Sequence, residues 1–179
     1  MITIQPVDLE RAEHATALVA LLDAYARDPM GGGKGLPETT RNGLVAALRQ
    51  RRDLVAVLAF DRERPVGLVN CFEGFSTFRC QPLLNIHDVV VVPEYRRQGV
   101  ARKMLLEVER IARERGCCKL TLEVLEGNKP AREAYRDLGF SGYELDPVMG
   151  RALFWEKPLP DPDYPSDSAT VRKTVFEPG

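Results

Sequence analysis

Four cationic side chains crowd a short loop that joins a valine-rich run to a predicted helix: Arg96, Arg97, Arg102 and Lys103. The first turn of a helix offers unpaired backbone N–H groups and the positive end of the helix dipole. Cations there disfavour the helix by ~0.3–1 kcal/mol each, whereas a bound polyphosphate would reverse that sign. Gly99 lets a ligand approach the backbone closely. The loop is therefore either a polyphosphate site or a solvated basic turn, and charge alone does not separate the two.

The elements that must position this loop follow from hydrophobic periodicity and from proline and glycine boundaries. Apolar runs of strand length predict strands, and apolar residues at i, i+3 and i+4 predict helices. The predicted strands are 2–4, 54–60, 66–72, 84–92, 120–124, 143–145 and 151–156, and the predicted helices are 9–26, 40–51, 101–115 and 130–138. Hairpins combined with β-α-β crossovers predict a single-domain α/β fold with a mixed central sheet and flanking helices.

The composition is that of an ordinary globular domain. Its 179 residues can bury one core, and a net charge of −1 argues against a general nucleic-acid or membrane-surface binder. The chain has no apolar run near the ~20 residues of a membrane span, and it does not start like a signal peptide. The four cysteines lack metal-type spacing. We expect a cytoplasmic protein without metal, nucleic acid or membrane partner, with a domain at 1–159 and a proline-rich tail at 160–179.

Two motifs in order carry a resemblance to a known family. Arg96-x-x-Gly99-x-Ala101, after the valine-rich run, resembles the pyrophosphate-binding signature of the GNAT family of N-acetyltransferases. The second signature of that family is similar to the strand at 120–124 followed by Asn128, Ala131, Ala134, Tyr135, Gly139 and Phe140. Residues 152–159 are similar to the last strand of the family. The match is strong from 84 to 140 and topological only over 1–83, and Ala101 stands where many members have glycine.

The resemblance implies the fold of acyl-CoA N-acyltransferases, with acetyl-CoA as the acyl donor. It implies that the pantetheine arm lies along the backbone of Val89, Val90 and Val91, with Asn128 beside it. It implies that the pyrophosphate lies on Arg96, Arg97, Gln98, Gly99, Val100, Ala101 and Arg102. It places Tyr135 next to the thioester sulfur. Periodicity agrees that Tyr135 points inward, because it shares a helix face with Ala131 and Leu138.

Attack of an amine on a thioester needs a base, because the neutral form of a lysine-like amine costs ~4.6 kcal/mol at pH 7. Three side chains qualify: His87, Asp88 and Glu123. Strand alternation predicts Asn85 and His87 on one face of their strand and Asp88 on the other. Glu123 interrupts an apolar strand, where a carboxylate costs stability unless it has partners or reaches a cleft. We expect the proton to leave through Glu123, ranked first, through His87, or through water bridging them. A strand N–H near Val90 is expected to bind the oxyanion.

The acceptor and the assembly stay open. No cysteine lies in a recognisable nucleophile context, so direct attack in a ternary complex is expected rather than a covalent enzyme intermediate. The amine acceptor is a small molecule or a peptide, and protein amino groups, amino acids, polyamines and aminoglycoside-like amines all fit. The alternative function is a non-catalytic sensor or subunit that holds acetyl-CoA or coenzyme A. A monomer and a homodimer are both compatible with the sequence.

Overall fold

The computed structural model describes residues 1–143, 146, 148, 150, 152–157 and 159. In chain order the elements are β1 (Ile2–Pro6), α1 (Ala12–Arg27), α2 (Glu38–Arg49), β2 (Leu54–Asp61), β3 (Arg64–Ser76), β4 (Gln81–Val91), α3 (Val100–Glu114), β5 (Leu120–Leu122) and α4 (Lys129–Arg136). Short 3-10 turns occupy Pro29–Gly31 and Pro93–Tyr95. Met1–Ser141 forms one compact unit and Gly142–Gly179 is a second. Of the helices described, none is both long enough and apolar enough to cross a bilayer.

A five-stranded sheet runs through the first unit in the order β1-β2-β3-β4-β5. The pairs from β1 to β4 are antiparallel, and β5 joins β4 in parallel. The parallel pair requires a crossover, and α3 provides it. The predicted α/β fold with a mixed central sheet is therefore confirmed.

Helices cover both faces of this sheet. On one face, called the α3 face below, α3 buries Met104 and Val108 beside Val57. On the opposite face, called the α1 face, α1 buries Leu18 beside Leu58. Val57 and Leu58 are neighbours in β2, so the period of two in a strand directs them to opposite faces. Burial on both faces explains why β2 is a continuous apolar run rather than an alternating one.

Helix α1 begins at Ala12, three residues later than the predicted start at residue 9. Asp8 precedes that predicted start and is of a residue type favoured at helix N-caps. Its Oδ1 instead accepts the Glu10 N–H at 2.9 Å, and its own N–H donates to His14 Nδ1 at 3.1 Å. His14 is 2% exposed, so this bonding is anchored in the core and delays the helix.

The two strands predicted at 143–145 and 151–156 are not found, and the prediction is wrong for the residues described there. Tyr143 and residues 152–156 lie in no strand, while residues 144, 145 and 151 lie outside the described residues. A backbone hydrogen bond joins Ala152 N–H to Tyr143 O at 3.3 Å. Tyr143, Phe154 and Trp155 are exposed, and the strand preference of aromatic residues depends on packing against a sheet. The predicted tail at 160–179 lies outside the described residues.

Candidate active site

The sheet opens where β4 continues past the end of β5. The two strands pair over three positions, with Ile86 opposite Leu122 as the last, and β4 then runs on to Val91. On its other edge β4 stays paired with β3, and Val92 N–H extends that ladder by donating to Val66 O at 3.0 Å. The last part of β4 therefore has an edge with no strand beside it among the described residues.

The ladder with β3 decides which backbone groups of β4 face this open edge. The Val92 N–H bonds toward β3, and backbone groups alternate in direction along a strand. The N–H and C=O of Val90 therefore point toward β3, whereas those of Val89 and Val91 point toward the opening. Arg96 Nε donates to Val91 O at 3.0 Å, which agrees with a Val91 carbonyl outside the ladder. The N–H groups that face the opening are those of Val89 and Val91, so the oxyanion donor expected near Val90 would be one of these two. The expected role of this segment along an extended arm stays a prediction.

A β-bulge at His87 interrupts the regular alternation of β4. Asn70 of β3 lies opposite Asp88, and the next residue of β3, Cys71, lies opposite Ile86. His87 is therefore the extra residue, left without a partner of its own. A bulge bends its strand, which agrees with the loss of pairing between β4 and β5 immediately beyond Ile86.

The bulge also corrects the predicted faces of the candidate bases. Asn85 lies opposite Phe72 and Asp88 lies opposite Asn70, and these two residues of β3 share the α1 face. Asn70 Nδ2 donates to Asp88 Oδ2 at 3.1 Å, and the His87 ring meets the Phe72 ring edge-on at 5.6 Å. The prediction that Asp88 faces away from Asn85 and His87 is wrong, because it assumed an unbroken strand.

Glu123 lies one residue beyond the end of β5 and is exposed. Asn85 Nδ2 lies 3.3 Å from each carboxylate oxygen of Glu123 and donates to Thr121 Oγ1 at 3.1 Å. The strand predicted at 120–124 ends at Leu122, so Glu123 does not lie inside an apolar strand as expected. It is accommodated because it reaches solvent and an amide donor at the mouth of the opening.

The loop between β4 and α3 contains two left-handed residues, Arg97 with φ 60° and Gly99 with φ 75°. A left-handed non-glycine residue costs of order 1 kcal/mol and is found mostly where structure or function demands it. Gly99 is the N-cap of α3, which has neither a side-chain cap nor an acidic residue in its first turn. A Cβ on Gly99 would meet no atom within 4 Å. The loop thus presents free N–H groups to open space at the positive end of α3, an arrangement that binds anions.

Two polar side chains of the loop have partners within the protein. Arg96 Nη2 donates to Asp28 Oδ2 at 2.7 Å, which ties the loop to the end of α1. Gln98 Nε2 donates to Glu94 O at 2.7 Å, which closes the loop on itself. Both side chains brace the loop, and their predicted contact with a cofactor stays a prediction.

Other positions of the predicted pyrophosphate site differ in exposure. Arg97 and Arg102 are exposed, and neither forms a side-chain hydrogen bond or an ion pair with another described residue. Val100 is buried, so only its backbone can reach a ligand, and Ala101 is half-buried. These two guanidinium groups, together with the exposed Lys103, are therefore side-chain cations available to an anion at this loop.

Helix α4 carries the two predicted residues of the second motif. Asn128 caps the helix, with Oδ1 accepting the Ala131 N–H at 3.3 Å, so its Nδ2 remains as a donor. Tyr135 is half-buried, and its ring meets Phe140 edge-on at 5.9 Å. Burial raises the pKa of Tyr135 to about 12, and interaction with Tyr25 of α1 adds to the shift. The Tyr135 hydroxyl is thus a hydrogen-bond donor throughout the neutral range.

Sequence reasoning misses two residues at this opening, Tyr25 and Asn70. Tyr25 fits the apolar face of α1, yet burial raises the pKa of its hydroxyl, and the nearby charges of Asp88 and Asp28 raise it further. Asn70 is 3% exposed and interrupts the apolar run of β3. A polar residue inside a run that is otherwise core is the signal that could have singled it out.

Comparison with known proteins gives the same architecture. Residues 18–140 match the sequence model of the acetyltransferase (GNAT) family. A crystal structure described as a probable acetyltransferase is 25% identical in sequence and superposes with a TM-score of 0.72, covering 89% of this chain and 99% of that one. The chain therefore belongs to the acetyltransferase (GNAT) family, which confirms the resemblance carried by the two motifs.

Two curated relatives resemble parts of the chain. It is 36% identical over 74 residues to thialysine N-epsilon-acetyltransferase of Bos taurus, covering 41% of this chain and 43% of that protein. It is 37% identical over 108 residues to glucosamine 6-phosphate N-acetyltransferase of Trypanosoma brucei brucei, covering 56% of this chain and 68% of that protein. The chain thus spans less than half the length of the bovine relative.

Proposed function

We propose that this chain is an acetyltransferase that moves the acetyl group of acetyl-CoA to a primary amine by direct attack in a ternary complex. One observation carries the proposal: the free edge of β4 leads to the uncapped N-terminus of α3. An extended arm ending in a pyrophosphate matches that edge and that helix end. Family membership supports the reaction class, and the names of both relatives specify transfer to nitrogen.

The residues present fit coenzyme A. The backbone N–H groups of 97–102 supply donors for a pyrophosphate, and Arg97 and Arg102 supply positive charge. Val89 and Val91 offer backbone groups to the pantetheine arm, and Asn128 Nδ2 is a further donor. Arg96 and Gln98 hold the loop in its binding conformation. When bound, acetyl-CoA supplies an activated acyl carbon and a sulfur leaving group.

Tyr135 assists the departure of sulfur. Transfer forms a carbon–nitrogen bond and breaks the carbon–sulfur bond, so negative charge develops on sulfur. A hydroxyl with a pKa of about 12 does not readily give its proton to a thiolate whose pKa, by analogy with cysteine, is ~8.5. Tyr135 therefore acts first as a hydrogen-bond donor that stabilises the developing thiolate, and proton transfer completes later.

Glu123 or His87 removes the proton of the amine, directly or through a water that bridges them. Both lie at the opening between β4 and β5. Glu123 remains the first choice because its carboxylate is held by the neutral amide of Asn85, which positions the charge without neutralising it. His87 is exposed and is positioned by the Phe72 ring.

The test is release of free thiol from acetyl-CoA by the full chain, with a panel of primary amines and mass detection of N-acetylated product. We expect release that depends on the amine. Binding of coenzyme A without turnover across the panel would favour the non-catalytic alternative. Absence of any binding would contradict both.

A further inference from the structure

Asp88 is a half-buried carboxylate on β4 without a cationic partner among the described residues. Asp53 and Asp28, by contrast, form ion pairs with Arg51 and Arg96. The hydrogen-bond partner of Asp88 is the neutral side-chain amide of Asn70, at 3.1 Å. A half-buried negative charge is thus left without compensation.

Asn70 holds the Asp88 carboxylate in position from within the core. Because a carboxylate can only accept, the amide must present Nδ2 to Asp88, which fixes the orientation of Asn70. Its Oδ1 then points elsewhere, is fully buried, and has no hydrogen-bond partner among the described residues. Because a buried oxygen without a donor is costly, the bond from Nδ2 to Asp88 is what holds Asn70 in this orientation.

The position of the pair links it to the opening of the sheet. The bulge at His87 places Asp88 on the α1 face at the point where β4 loses β5. The hydroxyl of Tyr25 lies close enough to Asp88 for the carboxylate to raise its pKa, and Tyr25 likewise affects Tyr135. Asp88 and Asn70 therefore lie beside the place where the proposed transfer occurs, on the side away from α3.

The chemistry of the pair selects its ligand. A protonated amino group carries positive charge and hydrogen-bond donors, which suit the free oxygen of the Asp88 carboxylate. A carboxylate or phosphate would be repelled, and an alcohol offers a single donor and no charge. We infer that Asp88, positioned by Asn70, forms a subsite for a protonated amino group of the acceptor.

The group bound here is not the one that reacts. A carboxylate stabilises the protonated form of a bound amine, whereas attack on a thioester requires the neutral form. The acceptor must therefore carry two amino groups, one that stays charged at Asp88 and one that is acetylated. The subsite assigns diamines and polyamines as the substrate class, and this inference rests on the proposed function.

The experiment compares α,ω-diaminoalkanes of two to six carbons with ω-amino alcohols of equal length. For wild type, kcat/KM should favour the diamine by about tenfold or more at the best length, since a charge-assisted bond is lost in the alcohol. In Asp88→Asn that preference should vanish through a higher KM for the diamine, with kcat nearly unchanged and the amino alcohol unaffected. Glu114→Gln removes one exposed carboxylate at the end of α3 and should keep the preference.

A binding measurement keeps the inference testable if turnover is slow or if Asp88→Asn folds poorly. Calorimetric titration of wild type saturated with coenzyme A should show tighter binding of the diamine than of the amino alcohol. Equal use and equal binding of the two series would overturn the inference while leaving the proposed acetyltransferase intact. An equal fall in kcat/KM for diamines and amino alcohols in Asp88→Asn would mean that Asp88 has a structural role, and this result would also overturn the inference. Failure to bind coenzyme A at all would instead contradict the proposed function.

Discussion

Tyr135 brings a hydroxyl to the opening of the sheet in an environment that keeps it protonated. Replacement of Tyr135 by phenylalanine keeps the ring contact with Phe140 and removes only the hydroxyl. We predict that kcat falls by ~10²-fold or more while affinity for coenzyme A changes little, because the hydroxyl matters only as sulfur leaves. Steady-state kinetics and calorimetry measure the two quantities. Full turnover in Tyr135→Phe would mean that Tyr135 only packs and that another donor serves the sulfur.

The base at the opening can be identified from the pH dependence of kcat/KM. We predict that Glu123→Gln loses the acidic limb that wild type shows, because the amide cannot accept the proton, whereas His87→Ala keeps it. The same amine must be used for each variant, so that its own titration cancels in the ratio to wild type. Loss of the limb in His87→Ala instead would transfer the role to His87. Wild-type profiles in both variants would show that neither residue is the base.

Among single residues, the sequence predicts the position of a side chain well where a motif on a helix fixes it. It predicts the position poorly where the pairing of distant strands determines which face of the sheet the side chain occupies. Tyr135 and Asn128 occupy the expected places on α4 because helical periodicity continues without interruption. Asp88 was assigned to the wrong face, since a bulge depends on pairing with a distant strand and leaves no local signature. Tyr25 was missed because its neighbours at the opening come from other elements.

At the scale of elements, the loop before α3 is where backbone conformation and binding are joined. We predict that Gly99→Asp stays folded but loses affinity for coenzyme A. The added carboxylate is favourable at a helix N-terminus, yet it occupies the open space in front of the N–H groups and repels phosphate.

Gly116, at the other end of α3, is a matched control for that substitution. It also has a positive φ, of 70°, with no atom within 4 Å of an added Cβ. Gly116→Asp should therefore carry a similar backbone strain, of about 1 kcal/mol, and keep its affinity. Melting curves compare the stability of the two variants, and calorimetry compares their affinity. Retained affinity in Gly99→Asp would show that the loop does not bind the cofactor.

The order of elements through α4 follows from the sequence because each carries its own local signal. Helix α3 is predicted at 101–115 and found at Val100–Glu114, since its apolar face repeats regularly and glycines flank it. The hairpin strands β3 and β4 extend further than predicted, because their ends are stabilised by pairing with each other rather than by composition. For the same reason β5 is shorter, since its partner bends away after Ile86.

At the scale of the whole molecule, the proposed cofactor site draws on elements far apart in sequence. The ion pair from Arg96 to Asp28 ties the loop before α3 to the end of α1. Residues of β4 pack against the helices on both faces of the sheet. A ligand that binds there holds several elements of the first unit in their native arrangement. Because such a ligand binds the folded state and not the unfolded chain, it must raise the free energy of unfolding.

The most direct test of the central claim is the melting temperature of the full chain with and without coenzyme A, supported by calorimetric titration. At ~100 times Kd the ligand should stabilise the fold by ~2.7 kcal/mol, which corresponds to a rise of about 5–10 °C for a chain of this size. The titration should show one site per chain, and Gly99→Asp should show neither effect. A wild-type melting temperature that does not change at millimolar coenzyme A, together with a titration that shows no heat of binding, would contradict the account.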